Sequence, residues 1–290
     1  MYLTGFADEA GADIRTQITV TQQLGWSHIE ARTTGSGNIH EIPQDEFDSV
    51  AAALDDAGIR VNCFGSAIAN WGRCVTEPFD ITLQAVERAI PRMHRLNCSM
   101  IRIMSYRVLK DRSPDDQMEA ERFRRLREIT KRFLDAGIQP VHENCMNYGG
   151  LGWRYTLRML DAVPGLKLVF DTGNPVFTVD PDGDGTTRQS AWTFYKNVHE
   201  HVVYVHIKDG QFDPATGQTR YTWPGEGDGH VRQIVSDLLA RGYDGGFSIE
   251  PHMGAVYHEG TSLTESEARQ AMYVEYGQRF ERLLKECYAP

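Results

Sequence analysis

Four residues with metal-binding side chains close four successive strand-like runs in the second half of this 290-residue chain. They are Glu143 in Gln139-Pro-Val-His-Glu-Asn, Asp171 in Leu168-Val-Phe-Asp-Thr-Gly-Asn, His206 in Val202-Val-Tyr-Val-His-Ile-Lys-Asp, and Glu250 in Phe247-Ser-Ile-Glu-Pro-His. Each follows a mostly apolar or β-branched run and precedes a turn-rich loop. Strand ends that point the same way converge, and three carboxylates with one imidazole at one point make a divalent-metal site. The pattern reads as a metalloenzyme.

Positioning such a set requires parallel strands with their carboxyl ends on one side. The sequence supplies that rhythm. Strand-like runs begin near residues 2, 26, 59, 100, 138, 167, 202 and 246, and amphipathic helical stretches fall near 12–24, 44–57, 80–96, 114–136, 153–162, 187–199, 230–240 and 264–285. Glycine follows directly after Leu24, Ala57, Ala136 and Arg241, the helix C-cap signal that precedes a new strand. Eight strands alternating with eight helices, without a linker or low-complexity tract, predict one (β/α)8 barrel domain over residues 1–290 with its active site at the carboxyl ends of the strands. An open doubly wound sheet usually carries a glycine-rich phosphate loop after its first strand. Here that loop reads Ala7-Asp-Glu-Ala-Gly-Ala, which is not one.

Composition narrows the function further. A net charge of -10 argues against a sequence-independent grip on nucleic acid, which needs surplus Lys and Arg. No apolar run has the length of a bilayer span, and the first residues show no basic region before an apolar core, so a cytoplasmic protein is expected. The five cysteines, Cys63, Cys74, Cys98, Cys145 and Cys287, are odd in number and unpaired in spacing, which predicts reduced thiols. Asp180-Pro-Asp-Gly-Asp-Gly has part of a calcium-loop rhythm without its closing Glu and reads as a solvated turn. The loop from Gly210 to Gly229 is long enough to fold over a pocket mouth.

Taken in order along the chain, Glu143-Asn144, Phe170-Asp-Thr-Gly-Asn, Val205-His-Ile-Lys-Asp, Pro224-Gly-Glu-Gly-Asp and Ile249-Glu-Pro resemble the xylose-isomerase-like superfamily of sugar isomerases and epimerases. That superfamily also holds dehydratases of keto-cyclitols and apurinic endonucleases. The resemblance covers nearly the whole chain. It implies that Glu143, Asp171, His206 and Glu250 bind one divalent ion, with manganese expected first and magnesium, cobalt or zinc as alternatives. It also implies that Glu143 and Glu250, on opposite faces of a sugar, act as acid and base in proton exchange with carbon. Such a reaction needs a base near the carbon and positive charge near the developing enolate oxygen. The endonuclease branch places further histidines on earlier strands, but here strands two to four end near Glu30, Phe64 and Met104.

The expected activity is therefore a metal-dependent isomerase or epimerase of carbohydrate metabolism acting on a small sugar or sugar phosphate. The alternatives are a lyase acting on a keto-sugar or keto-cyclitol at the same site and a non-catalytic carbohydrate-binding barrel. Where many family epimerases carry a substrate-binding His, three residues after the metal Asp, this chain has Asn174. Lys208 shares the face of His206, and His252 that of Glu250, so both can reach substrate. His142 precedes Glu143 and turns to the opposite face, which predicts a packed, hydrogen-bonded ring with a second base as the alternative. Glu30 can bond sugar hydroxyls or orient Arg32, Trp71 and Trp223 can stack on a sugar ring, and Glu226 belongs either to its loop or to the site. No basic cluster marks a phosphate site, which points to an unphosphorylated substrate. Barrels of this type often pair, and the segment from Tyr257 offers surface for a homodimer.

Overall fold

The computed structural model describes residues 1–253 and 264–288. Its eight parallel strands are β1 (Tyr2–Gly5), β2 (His28–Ala31), β3 (Arg60–Gly65), β4 (Met100–Ile103), β5 (Gln139–Glu143), β6 (Lys167–Asp171), β7 (Val202–Ile207) and β8 (Gly246–Ile249). Hydrogen bonding joins β1 to β8 and then runs from β8 back through β7, β6, β5, β4 and β3 to β2. β2 lies against β1, which closes the ring. The expected (β/α)8 barrel is the observed fold.

Eight long helices surround the strands: α1 (Ile14–Gln23), α2 (Gln44–Ala57), α3 (Phe79–Arg95), α4 (Glu119–Asp135), α5 (Trp153–Ala162), α6 (Ala191–Val198), α7 (Val231–Ala240) and α8 (Glu265–Tyr288). Each turns an apolar stripe inward, as Phe47, Val50, Ala51 and Leu54 do on α2. Gly58 ends α2 with φ +65 and donates its N–H to Leu54 and Asp55, a left-handed cap that costs a side-chain-bearing residue more than glycine. The main core fills the space between helices and strands. A smaller cluster of Cys63, Val141, Val169 and Tyr204 plugs the barrel interior beneath the carboxyl ends. All five cysteines are unpaired, four of them buried and Cys287 half-buried.

Two helices begin later than the sequence suggests. The stretch expected to be helical from residue 114 stays a loop until Glu119, because the Gln117 side chain bonds both backbone groups of Leu109 and Met118 adopts φ +54. The stretch expected from residue 187 becomes helical only at Ala191, where the Ser190 hydroxyl accepts from the Thr193 N–H. Thr186 and Thr187 are held instead by Asp184, whose Oδ1 accepts from both backbone N–H groups at 2.9 Å. Asp180 accepts from Asp182 N and Asp182 pairs with Arg154, so these carboxylates serve a surface turn. The loop after β7 contains a hairpin, Gly210–Asp213 with Gln218–Tyr221. Among the described residues no helix is long and apolar enough to cross a membrane. Of the segment from Tyr257, residues 257–263 lie outside the described residues, and α8 follows them.

Candidate metal centre

The barrel register brings the four strand-end donors together. Glu143 and Asp171 are the last residues of β5 and β6, His206 sits across from Asp171 on β7, and Glu250 follows β8. One donor atom from each of the four lies within 4.8 Å of the other three. Asn144 locks the first pair: its Nδ2 donates to Asp171 O at 2.9 Å and its Oδ1 accepts from Asp171 N at 2.7 Å. Asp209 does the same for the far side. Its carboxylate accepts from the N–H groups of Gly210, Gly225, Gly227 and Gly229 at 2.8–3.0 Å. The His-Ile-Lys-Asp and Pro-Gly-Glu-Gly-Asp runs are thus two halves of one folded loop.

Each donor is aimed by a partner on its outer side. His206 Nε2 faces the Glu30 carboxylate at 3.1 Å, and Glu30 also accepts from the Tyr204 hydroxyl at 2.7 Å. That leaves His206 Nδ1 directed at Glu143 and Glu250, buried and without a hydrogen-bond partner. Asp171 Oδ1 accepts from the N–H groups of Gly173 and Asn174, at 2.8 and 2.6 Å, while its buried Oδ2 meets only the Lys208 ammonium group. Glu143 takes Arg102 Nη1 on Oε2 and Asn174 Nδ2 on Oε1, both at 2.9 Å. Glu250 takes Arg32 Nη1 at 3.0 Å and Lys208 Nζ at 2.9 Å. A buried imidazole nitrogen without a hydrogen bond, beside a carboxylate oxygen met only by the Lys208 ammonium, fits a divalent cation, and an outer carboxylate on the histidine is the usual support for such a ligand.

The electrostatics follow from this crowding. Burial pushes the Glu143 carboxyl up, but Arg102 and His206 outweigh it and hold the group at about 2. Burial is likewise overcome at Glu250, where Lys208, His252 and Arg32 hold the carboxyl well below its usual range. Asp171 goes the other way, to about 7, because burial and the neighbouring Glu250 and Glu143 prevail over Lys208. Burial opposes the charge on His206, yet Glu30 and Glu143 raise the imidazole to about 10. Without a metal, protons and the Lys208 ammonium group, 2.9 Å from Asp171 Oδ2, compensate the carboxylates.

The centre opens into a cavity of about 1050 Å³ whose lining includes Glu143, Asn174, Lys208, Glu250, His252 and Trp71. Lys208 bridges Asp171 and Glu250, Asn174 touches Glu143, and His252 lies between Glu9 at 2.7 Å and Glu250 at 3.3 Å. Trp71 stands at the mouth, 44% exposed. The expected site roles of Glu30, Glu226 and Trp223 need correction, whereas His142 is packed and hydrogen-bonded as its strand position predicts. Glu30 does not face the cavity or orient Arg32, because its carboxylate is consumed by Tyr204 and His206 beneath the centre. His142 is fully buried and bonds Ser105 and Asn147 at 2.9 Å, so it packs the loop after β5 and touches no ligand. Glu226 pairs with Arg279 at 3.0 Å on the outer surface, and only its backbone belongs to the loop around Asp209. Trp223 also turns outward, under Arg279 and beside Tyr276.

Residues not singled out from sequence complete the site. Arg32 grips Asp8 at 2.8 Å, Glu9 at 3.4 Å and Glu250, tying the loops after β1, β2 and β8 into one ionic network. Arg102, 4% exposed, rises from the middle of β4 to Glu143. A lone arginine inside the apolar run Met100-Ile-Arg-Ile was the available signal, since a buried guanidinium requires an anionic partner.

Comparison with known proteins agrees with this architecture. The sequence family described as xylose isomerase-like TIM barrel matches residues 18–272. No curated protein matches the chain in sequence. Among solved structures, the chain is similar to a xylose isomerase-like TIM-barrel protein from Mycobacterium smegmatis in complex with magnesium, with TM-score 0.67, 18% identity, and coverage of 98% of this chain and 97% of that one. It is also similar to the probable 3-DHS dehydratase involved in petrobactin synthesis from Bacillus anthracis, with TM-score 0.66, 16% identity, and coverage of 95% and 98%. A third is D-allulose 3-epimerase from Methylomonas sp. in complex with D-allulose, with TM-score 0.65, 15% identity, and coverage of 96% and 97%.

Proposed function

The chain belongs to the xylose isomerase-like TIM-barrel family, and from that premise we propose that it is a divalent-metal-dependent isomerase or epimerase of a small sugar. The observation that carries the reading is the convergence of one donor atom each from Glu143, Asp171, His206 and Glu250 within 4.8 Å, with His206 Nδ1 buried and free of hydrogen bonds among them. Glu143, Asp171, His206 and Glu250 would hold the metal, with manganese first among the candidates and magnesium, cobalt or zinc able to use the same donors. When bound, the metal supplies positive charge for a substrate oxygen that becomes enolate-like.

The residues of the chain do the remaining work. Glu143 and Glu250 reach the cavity from β5 and from the loop after β8, and the cations around them keep both ionised at neutral pH. An ionised carboxylate can take the proton from carbon and become a carboxylic acid, and its counterpart, after taking a proton from solvent water, can deliver that proton to the other face. Lys208 and Asn174 present N–H donors where substrate oxygens can be oriented. Trp71 offers a ring face at the mouth. The neighbour crystallised with D-allulose supports a sugar as the substrate class.

Glu143→Gln and Glu250→Gln test the assignment on metal-loaded protein offered a panel of keto- and aldo-sugars. Each is expected to keep the fold and lose about 10²- to 10⁴-fold in turnover. Near wild-type turnover in either variant would refute the acid–base pair.

A second reading, a lyase removing water beside a keto group, is favoured by Lys208. Its ammonium group enters the cavity beside Glu250 and can protonate a departing hydroxyl, and the dehydratase neighbour shares the fold. Formation of an ultraviolet-absorbing enone without an isomeric sugar would select that reaction.

A further inference from the structure

A second cavity, of about 780 Å³, adjoins the metal centre and shares Trp71, Cys145, Met146, Phe177 and Thr178 with its lining. Its walls come from the loops after β3, β4, β5 and β6. The two cavities carry different charge. The metal side is flanked by Asp8, Glu9 and Glu265, with Arg32 already spent on the first two. The adjoining side presents Arg107, Lys110 and Arg188 against a single carboxylate, Asp111.

These three cations are placed unlike the other basic residues nearby. Arg112 and Arg154 pair with Asp116 and Asp182, whereas Arg107, Lys110 and Arg188 form no ion pair among the described residues. Arg188 stacks on Phe212 of the hairpin after β7, 4.3 Å from guanidinium carbon to ring centre, which fixes the group while leaving its edge free to donate. Its Nε is shielded from solvent and has no hydrogen-bond partner. A buried donor without an acceptor is costly, and an anion seated beside it would remove the cost.

We propose that this adjoining cavity is an anion subsite, and that the substrate of the metal centre carries a carboxylate or phosphate at the end remote from the reacting carbon. The proposal deepens the isomerase reading and rests on it for what happens at that carbon, but the subsite itself stands on Arg107, Lys110 and Arg188. A substrate lying with its oxygens at the metal donors and its tail past Phe177 reaches from one cavity into the other, because Asn174 of the centre and Phe177 of the subsite are one helical turn apart. Arg107 and Lys110 stand three residues apart in one loop, and Arg188 joins them only in the fold.

The test is calorimetric titration of the full chain, stripped of metal by chelator, with inorganic phosphate, D-gluconate and, as the neutral control, D-glucitol. Saturable binding of phosphate or gluconate, weakened by salt and absent for glucitol, is expected. Lys110→Gln and Arg188→Gln should each weaken it about tenfold or more. Lys110 is exposed, so its variant reports on charge without disturbing packing. Tighter phosphate points to a sugar phosphate and tighter gluconate to a sugar acid. The metal-site variant His206→Ala should bind the anion as wild type does, so failure of the metal centre and failure of the subsite are separable. Binding of neither anion, or anion binding unchanged in both cation variants, would overturn the proposal.

Discussion

His206 shows how much of a ligand's chemistry is set by atoms that never meet a substrate. Glu30 takes its Nε2 and thereby fixes which nitrogen faces the centre, while Tyr204 anchors Glu30 in turn. Glu30→Gln should leave the fold intact but weaken metal affinity by about 10- to 100-fold, measured by competition with a fluorescent chelator. An affinity equal to wild type would show that the histidine is oriented by packing against Phe6 and Tyr204 alone. The four donors themselves were legible in sequence because each ends an apolar run, a local pattern. Arg32, Asp8 and Glu9 were not, because their importance arises only when the loops after β1, β2 and β8 meet. Glu30 was legible as a strand-end carboxylate, but whether it faces the cavity or the barrel interior is decided by the stagger of neighbouring strands. β2 and β3 shift register between Ile29 and Glu30.

Among the elements, the loop after β7 depends on one carboxylate. Four backbone N–H groups converge on Asp209, so Asp209→Ala would leave several of them without an acceptor. A loss of about 3 kcal/mol or more in unfolding free energy is expected from denaturant titration. A change below about 0.5 kcal/mol would mean that the loop keeps its shape without the carboxylate. Helix starts were the part of the fold that the sequence blurred, since Gln117, Asp184 and Ser190 decide them through local side-chain bonds that periodicity does not register.

The connection between β2 and α2 carries a pH dependence of its own. His40 is fully buried beside Asn38, and burial together with Arg88 and Arg92 lowers its pKa from 6.5 to about 3. The unfolded chain therefore binds one more proton than the folded chain between those values. Stability contributed by neutral His40 is present above about pH 6.5 and declines as pH falls toward 3, by up to about 1.4 kcal/mol per unit. His40→Gln should flatten that part of the stability curve. An unchanged slope would place the acid sensitivity elsewhere.

For the molecule as a whole, the barrel explains why a chain with net charge -10 can gather more acidic groups at one end. Parallel strands force the loops after β1, β2, β5, β6, β7 and β8 to share one rim, and cations enter the same rim to offset the repulsion. Arg32 and Arg102 each touch one of the four donors, and Lys208 touches two. The crowded carboxylates leave room for a further cation, in keeping with the raised pKa values of Asp171 and His206. The overall architecture was readable from the alternation of strands and helices because a barrel repeats one simple unit. The division of its mouth into an acidic and a basic half was not, because it depends on which loops become neighbours around the ring.

The most direct test of this account is the metal content of protein purified without chelator, measured by elemental analysis for wild type and His206→Ala. One manganese, magnesium, cobalt or zinc ion per chain is expected in the wild type, and its loss in the variant. A wild-type chain that holds no metal even after reconstitution, or a variant that retains a full equivalent, would contradict it.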